Sequence, residues 1–245
     1  MKIALISDVH GNYPALLSVF KEIDRIKCQK IISFGDIVGY YCMINEAIAL
    51  CRKNNVVNIL GNHDNYLLSG NRSIRSSTVN ICLDYQKKII SKDNYSWLQC
   101  SVSMYRNNNQ WFVHGGWNNY LDEYVNSFNF NKLLDLSVKI FGSGHTHVQS
   151  LQINNGTTYI NPGSVGQPRD GDSRAAFAIL DTSEGSVSLH RICYDIDHIA
   201  FAMQDAGFDD RYYAGLYTGK KIQSFSRDMT RTVCLNDLLA SAKKP

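Results

Sequence analysis

Two histidines stand one residue apart in the stretch FGSGHTHVQS (141–150), where His145 and His147 flank Thr146. On an extended segment residues i and i+2 point to the same side. Two adjacent imidazoles repel when protonated and leave donors unsatisfied unless something binds them. The same residue types recur in SDVHGN (7–12) with Asp8 and His10, GDIVG (35–39) with Asp36, GNHD (61–64) with Asn62, His63 and Asp64, and HGG (114–116) with His114. Alone, each has a structural reading: Asp8 as a helix cap, Asp36 in a turn, Asn62 and Asp64 satisfying loop amides, His114 packed in a tight turn. Together they offer imidazoles, carboxylates and one amide carbonyl with no thiolate, which suits Mn, Fe or Zn ions. Four histidines, two aspartates and an asparagine are too many ligands for one ion. They suit two ions roughly 3.5–4 Å apart that share a carboxylate. The residual positive charge of such a pair favours hydroxide and an anionic, phosphate-bearing substrate.

The elements that must position these residues alternate. KIALIS (2–7), KIISF (30–34) and VVNIL (56–60) are apolar runs without polar alternation, as in strands covered on both faces. Pro14 suits a first helical turn, and Leu16, Val19, Phe20 and Ile23 carry a helical stripe to about residue 27. A second helix is expected over 45–53, and GNHDN after the third strand is expected as a loop. This alternation implies right-handed crossovers and a parallel sheet. Residues 72–100 read as helical. Strands are then expected at 110–114, 138–144, 147–153, 157–161, 175–180 and 186–192, and a helical segment, DIDHIAFAMQDAG, at 195–207. Five of the seven histidines fall just past strand C-termini, the edge of an α/β sheet where ligands bind.

Composition narrows the function class. The chain has 245 residues, 44% hydrophobic and 19% charged, with a net charge of +3, an ordinary globular profile. Its basic residues are scattered, including Lys220, Lys221, Arg227, Arg231, Lys243 and Lys244 near the C-terminus, so no nucleic-acid stripe is formed. Seven cysteines without a CxxC suggest neither a disulfide framework nor a thiolate zinc site. With no apolar run near membrane length, a cytoplasmic protein without a membrane partner is expected.

The motifs SDVHGN, GDIVG, GNHD, HGG and GHTH (144–147), in that order, resemble those of the calcineurin-like metallophosphoesterases. NPGSVGQPRDGD (161–172) looks like the compact bacterial and archaeal phosphodiesterase branch and extends the likeness to about 190. From the residue pattern a small C-terminal helical appendage, packed on the main domain, is expected over 195–245. The resemblance implies an α/β fold: a four-layer α/β/β/α sandwich of two mixed sheets over 1–194. It implies that Asp8, His10 and His147 hold one metal and Asn62, His114 and His145 the other, with Asp36 bridging. The ions would be Mn, Fe, Zn or Ni, with Mn the choice in vitro. A metal-bridging hydroxide would attack phosphorus in line. His63, oriented by Asp64, would hydrogen-bond the phosphoryl oxygen or protonate the leaving alkoxide.

The implied activity is a phosphodiesterase acting on a small phosphate ester, nucleotides included, with no nucleic-acid polymer as partner and a homodimer left open. The alternatives are a phosphomonoesterase or nucleotidase, or a non-catalytic metal-binding scaffold of the same fold. Gly35-Asp36 is followed by IVGYY where the protein phosphatases of this superfamily have Asp-Arg-Gly, which argues against phosphoprotein substrates. His114-Gly115-Gly116-Trp117 departs from the branch's usual His-Gly-Ser/Thr-Pro and puts Trp117 in line for the pocket wall. Two further residues are candidates for the substrate. Asn12 is a phosphate contact or a helix cap before Pro14, and Arg169 is a phosphate clamp or a surface partner of Asp170 or Asp172. Tyr40 and Tyr41 stack on a base or pack, and His190 and His198 are structural.

Overall fold

The first strand, β1 (Lys2–Ile6), is the hub of the structure, a computed structural model that describes residues 1–132 and 137–220. It leads through a polar loop into α1 (Tyr13–Ile26), followed by β2 (Lys30–Ser33), α2 (Ile44–Lys53), β3 (Val57–Asn58) and α3 (Asn62–Ser69). β1, β2 and β3 run parallel. Two more helices, α4 (Ser77–Ile89) and α5 (Lys92–Gln99), precede β4 (Tyr105–Arg106), β5 (Gln110–Phe112), β6 (Ile140–Gly142), β7 (Ser150–Asn154) and β8 (Thr157–Asn161). β9 (Ala175–Asp181) and β10 (Ser186–Ile192) then return to the first sheet, and α6 (Ile196–Asp205) closes the described chain with two 3₁₀ turns.

The two sheets have the orders β10-β9-β1-β2-β3 and β4-β5-β6-β8-β7. Each is mixed, since β9 pairs antiparallel with β1, while β4 and β7 flank the parallel strands β5, β6 and β8. Alternation along each strand divides the core. Ile3, Leu5, Ile32, Phe34, Ala178 and Leu180 meet Phe112, Ile140 and Ile160 between the sheets. Ala4, Ile6, Phe177 and Ile179 point the other way, onto Leu16, Val19, Ile23 and Ile48 of the helices. The fold is thus an α/β sandwich of two mixed sheets flanked by helices. On the far face of the second sheet, Trp111, Phe141 and Tyr159 are covered by Trp117, Val125, Phe128 and Phe130, and the described residues there hold one 3₁₀ turn, Phe130–Lys132.

Several elements differ from expectation. The third strand shrinks from five residues to two, and the loop expected at GNHDN is the first turn of α3. The strand expected to begin at His147 begins at Ser150, because His145 and His147 are left-handed. Trp117 does not wall the pocket; its ring packs on Phe128, Phe141 and Tyr159. α6 buries Ile199 and Met203 against Tyr41 and Cys82, while Lys221 to Pro245, with most of the C-terminal basic residues, lie outside the described residues. Among the described residues no helix is long and apolar enough to cross a membrane.

Candidate metal centre

The parallel strands of both sheets end on one edge, and the candidate ligands come from the loops that leave them. Asp8 and His10 follow β1, Asp36 follows β2, Asn62 opens α3 after β3, His114 follows β5, and His145 and His147 follow β6. All seven are buried. Eight non-glycine residues among those described have positive φ, and five of them are Asp8, His10, Asp36, His145 and His147, at φ 52–64°. That conformation costs about 1–3 kcal/mol per residue and persists where the surroundings impose it. The extended reading of the His145/His147 pair is therefore replaced. Alternating left-handed residues turn both imidazoles inward, and the Asp8-Val9-His10 stretch repeats the pattern.

The surroundings that impose these turns are visible. The Asp8 and His10 amides donate to Gly35 O and Asp36 O, the His145 amide donates to Asp8 Oδ2, and the His63 amide donates to Asp36 Oδ1. Asn161 Nδ2 donates to Gly144 O and Thr146 Oγ1, holding the turn that carries both histidines. Gly144 allows this approach, since a Cβ there would overlap Ser7 Oγ.

The side chains gather into three overlapping groups: Asp8, His10 and His147; His10, Asp36 and His63; Asp36, His114 and His145. His147 Nε2 lies 3.4 Å from Asp8 Oδ1 and 3.1 Å from His10 Nε2. The last contact is not a hydrogen bond. His10 Nδ1 is 2.9 Å from Val38 O, and His147 Nδ1 is 2.7 Å from Gln167 O. A carbonyl accepts only from an N–H, so both protons sit on Nδ1 and both Nε2 atoms present lone pairs. Burial pushes both imidazoles well below the usual histidine range, so neither carries a second proton at neutral pH. Two lone pairs and a carboxylate oxygen facing one another form a donor set that a cation would satisfy.

The second group is built alike. His114 Nδ1 contacts Phe34 O at 2.8 Å, which directs Nε2 to within 3.0 Å of Asn62 Oδ1, 3.2 Å of His145 Nδ1 and 3.4 Å of Asp36 Oδ2. Asp36 Oδ2 is also 3.8 Å from His10 Nε2, so this oxygen lies between the two groups. Asp8 Oδ1 and Asp36 Oδ2 are buried without hydrogen-bond partners. Burial raises both carboxyls above their usual range, Asp36 strongly, with Asp64 and Asp8 adding like-charge repulsion. Imidazole nitrogens, unpaired carboxylate oxygens and one amide oxygen form a donor set that fits divalent cations.

His63 enters from the first turn of α3. Its Nε2 is 3.9 Å from Asp36 Oδ2, its Nδ1 is buried without a partner, and its ring packs against His10 at 4.7 Å and Tyr40 at 5.1 Å. Burial, and then the charge of Arg169, pushes the imidazole down to about 3. Asp64 does not orient it. Both Asp64 oxygens are taken by the amides of Asp36, Val38 and Gly61 and by Asn58 Nδ2, so Asp64 ties the Asp36 loop to α3. Asn12 is likewise engaged by the protein: it caps α1 by accepting from the Ala15 amide and donates to Gly166 O and Tyr194 Oη.

Arg169 has neither of the surface partners considered for it. Asp170 pairs with Arg191 and Asp172 with Arg174, while Arg169 donates to Gln167 Oε1 and Tyr40 Oη and lines the cavity above the centre. That cavity measures about 80 Å³. Tyr41 is buried, its hydroxyl accepting from Gln167, and is not available for stacking. His190 stacks on Phe177 outside the site. Four residues near the site were not singled out from sequence. Gln86 clasps the Gly39–Tyr41 backbone from α4, and Arg75, Asp122 and Tyr124 line the cavity. None stands in a recognisable motif.

Residues 1–185 match the model of the calcineurin-like phosphoesterase superfamily domain. The chain is 32% identical over 222 residues to an uncharacterized protein of Methanocaldococcus jannaschii, covering 79% of this chain and 88% of that one. A metallophosphoesterase from Sphaerobacter thermophilus is similar in structure, with a TM-score of 0.77 and 28% identity over 89% of this chain and 99% of the other. A protein from Pyrococcus horikoshii shares the fold at a TM-score of 0.78 and 19% identity, covering 90% of this chain and 99% of its own.

Proposed function

Because the chain belongs to the calcineurin-like phosphoesterase superfamily, we propose that it is a dinuclear metal-dependent phosphodiesterase acting on a small phosphate ester. The observation that carries this reading is the pair of opposed lone pairs on His10 Nε2 and His147 Nε2, 3.1 Å apart beside an unpaired Asp8 oxygen. Asp8, His10 and His147 would hold one divalent ion and Asn62, His114 and His145 the other, with Asp36 shared. When bound, the two ions would lower the pKa of a shared water and offset charge on the phosphoryl oxygens.

The chain's own residues supply the rest. The carbonyls of Val38, Phe34 and Gln167 fix the tautomers of His10, His114 and His147, as partners of metal-binding imidazoles do. His63 is uncharged at neutral pH and serves the substrate as an N–H donor at the phosphoryl or leaving-group oxygen. Arg169, held by Gln167 and Tyr40 without a carboxylate, offers its remaining N–H groups to a phosphate oxygen. The cavity above the centre is lined by Asp36, Asn62, His63, His145, His147 and Arg169, so a phosphoryl group that enters it meets the candidate ligands, His63 and Arg169 together.

Hydrolysis of bis(p-nitrophenyl) phosphate tests the reading. Activity is expected with Mn²⁺, absent after chelation, lower by about 10²–10⁴-fold in His63→Ala, and lost in Asp36→Ala. Inactivity with each of Mn, Fe, Zn and Ni, or full activity in Asp36→Ala, would overturn it.

A further inference from the structure

Arg75, Asp122 and Tyr124 line the same cavity as Asp36, His63, His145 and Arg169, so a group beside the reacting phosphate would meet them. One stretch of that lining is unusual. Tyr124 is 46% exposed, yet its ring lies 4.1 Å from that of His145 at 40°. The Arg75 guanidinium sits 5.7 Å over the same ring. Arg75, Tyr124 and His145 thus form a continuous path from the surface to the centre.

Arg75 is held loosely. Arg25, Arg72, Arg174 and Arg211 each grip a carboxylate with two nitrogens. Arg75 reaches Asp122 through one nitrogen at 3.5 Å, with side chains 54% and 32% exposed. A pair of that exposure contributes little, whereas a phosphate accepts two parallel, charge-assisted bonds from a guanidinium. Tyr124, whose ring contacts both the Arg75 guanidinium and the His145 ring, places that guanidinium one ring away from the centre.

We propose that Arg75 is a specificity residue that leaves Asp122 to bind a second phosphate of the substrate, across the Tyr124 ring from the phosphate being hydrolysed. This rests on the phosphodiesterase reading and narrows its substrate class to esters that carry another phosphate group, such as a nucleoside bisphosphate ester.

Two chromogenic esters that differ only in this group decide it: thymidine 5′-(p-nitrophenyl phosphate) with and without a 3′-phosphate. With the full Mn²⁺-loaded chain, the 3′-phosphorylated ester is expected to have a KM about tenfold lower. The ratio falls to near one in Arg75→Ala and is intermediate in Arg75→Lys, which keeps the charge but not the two-pronged geometry. Equal KM values in the unmodified chain, or a tenfold ratio retained in Arg75→Ala, would overturn the proposal. Binding provides a readout free of turnover. Thymidine 3′,5′-bisphosphate should raise Tm more than thymidine 5′-monophosphate, and Arg75→Ala should abolish the difference; equal shifts in the unmodified chain would also overturn it. Release from neither ester would overturn the phosphodiesterase reading instead, with the binding contrast still deciding Arg75.

Discussion

At the scale of single residues, Asp64 separates a structural from a catalytic role. It accepts from three backbone amides in the loops around Asp36 and before α3 and from the Asn58 side chain of β3. Asp64→Asn removes one acceptor oxygen and leaves buried donors unmatched, each costing about 1–3 kcal/mol. A destabilisation of about 3 kcal/mol lowers Tm by roughly 6–12 °C in a chain of this size, and metal content should fall with it. If Asp64 instead oriented His63, Asp64→Asn would cut kcat while Tm and metal content stayed constant. The sequence makes the ligand residues legible, because polar histidines and aspartates after apolar runs have few other uses. It hides the left-handed backbone at Asp8, His10, Asp36, His145 and His147, since no local signature marks a non-glycine residue at positive φ. It also hides the partners of Asp64, which parallel pairing of β2 and β3 brings together from distant stretches.

At the scale of elements, the ligand loops depend on close backbone contacts. A Cβ on Gly61, at the start of α3, would overlap the Asp36 carboxylate and amide. Gly61→Ala should therefore displace the carboxylate shared by the two groups and remove most bound metal, measured by metal analysis after gel filtration. Retained metal would show that the loop can yield there. At the start of α1, Asn12→Ala removes a cap worth about 1 kcal/mol and two further hydrogen bonds, one buried and one partly buried. Its expected signature is a Tm lower by several degrees with KM unchanged, whereas a phosphate contact would raise KM and leave Tm alone. The expected helix stripe over 14–27 and the strands at 2–7 and 30–34 match α1, β1 and β2 within a residue or so, because strong apolar periodicity survives packing. The third strand and the start of α3 were less legible. β3 is two residues long, and the Gly-Asn-His-Asp stretch has the composition of a turn although Asp64 closes it into a helical first turn.

At the scale of the whole molecule, the centre joins both sheets, since Asp8, His10, Asp36 and Asn62 come from the first and His114, His145 and His147 from the second. Ions held there would bridge the two halves of the sandwich and stabilise the fold by mass action. At free metal about a hundred times Kd, each site contributes about 2.7 kcal/mol and the two together about 5 kcal/mol, so chelation should lower Tm by roughly 10–20 °C and Mn²⁺ should restore it. Metal count per chain tests the account most directly, measured by inductively coupled plasma mass spectrometry after Mn²⁺ loading and removal of free ions. The unmodified chain should hold two ions; His147→Ala should lose the one shared with Asp8 and His10, and His145→Ala the one shared with Asn62 and His114, leaving about one each. A single ion in the unmodified chain, or no ion in either variant, would contradict it.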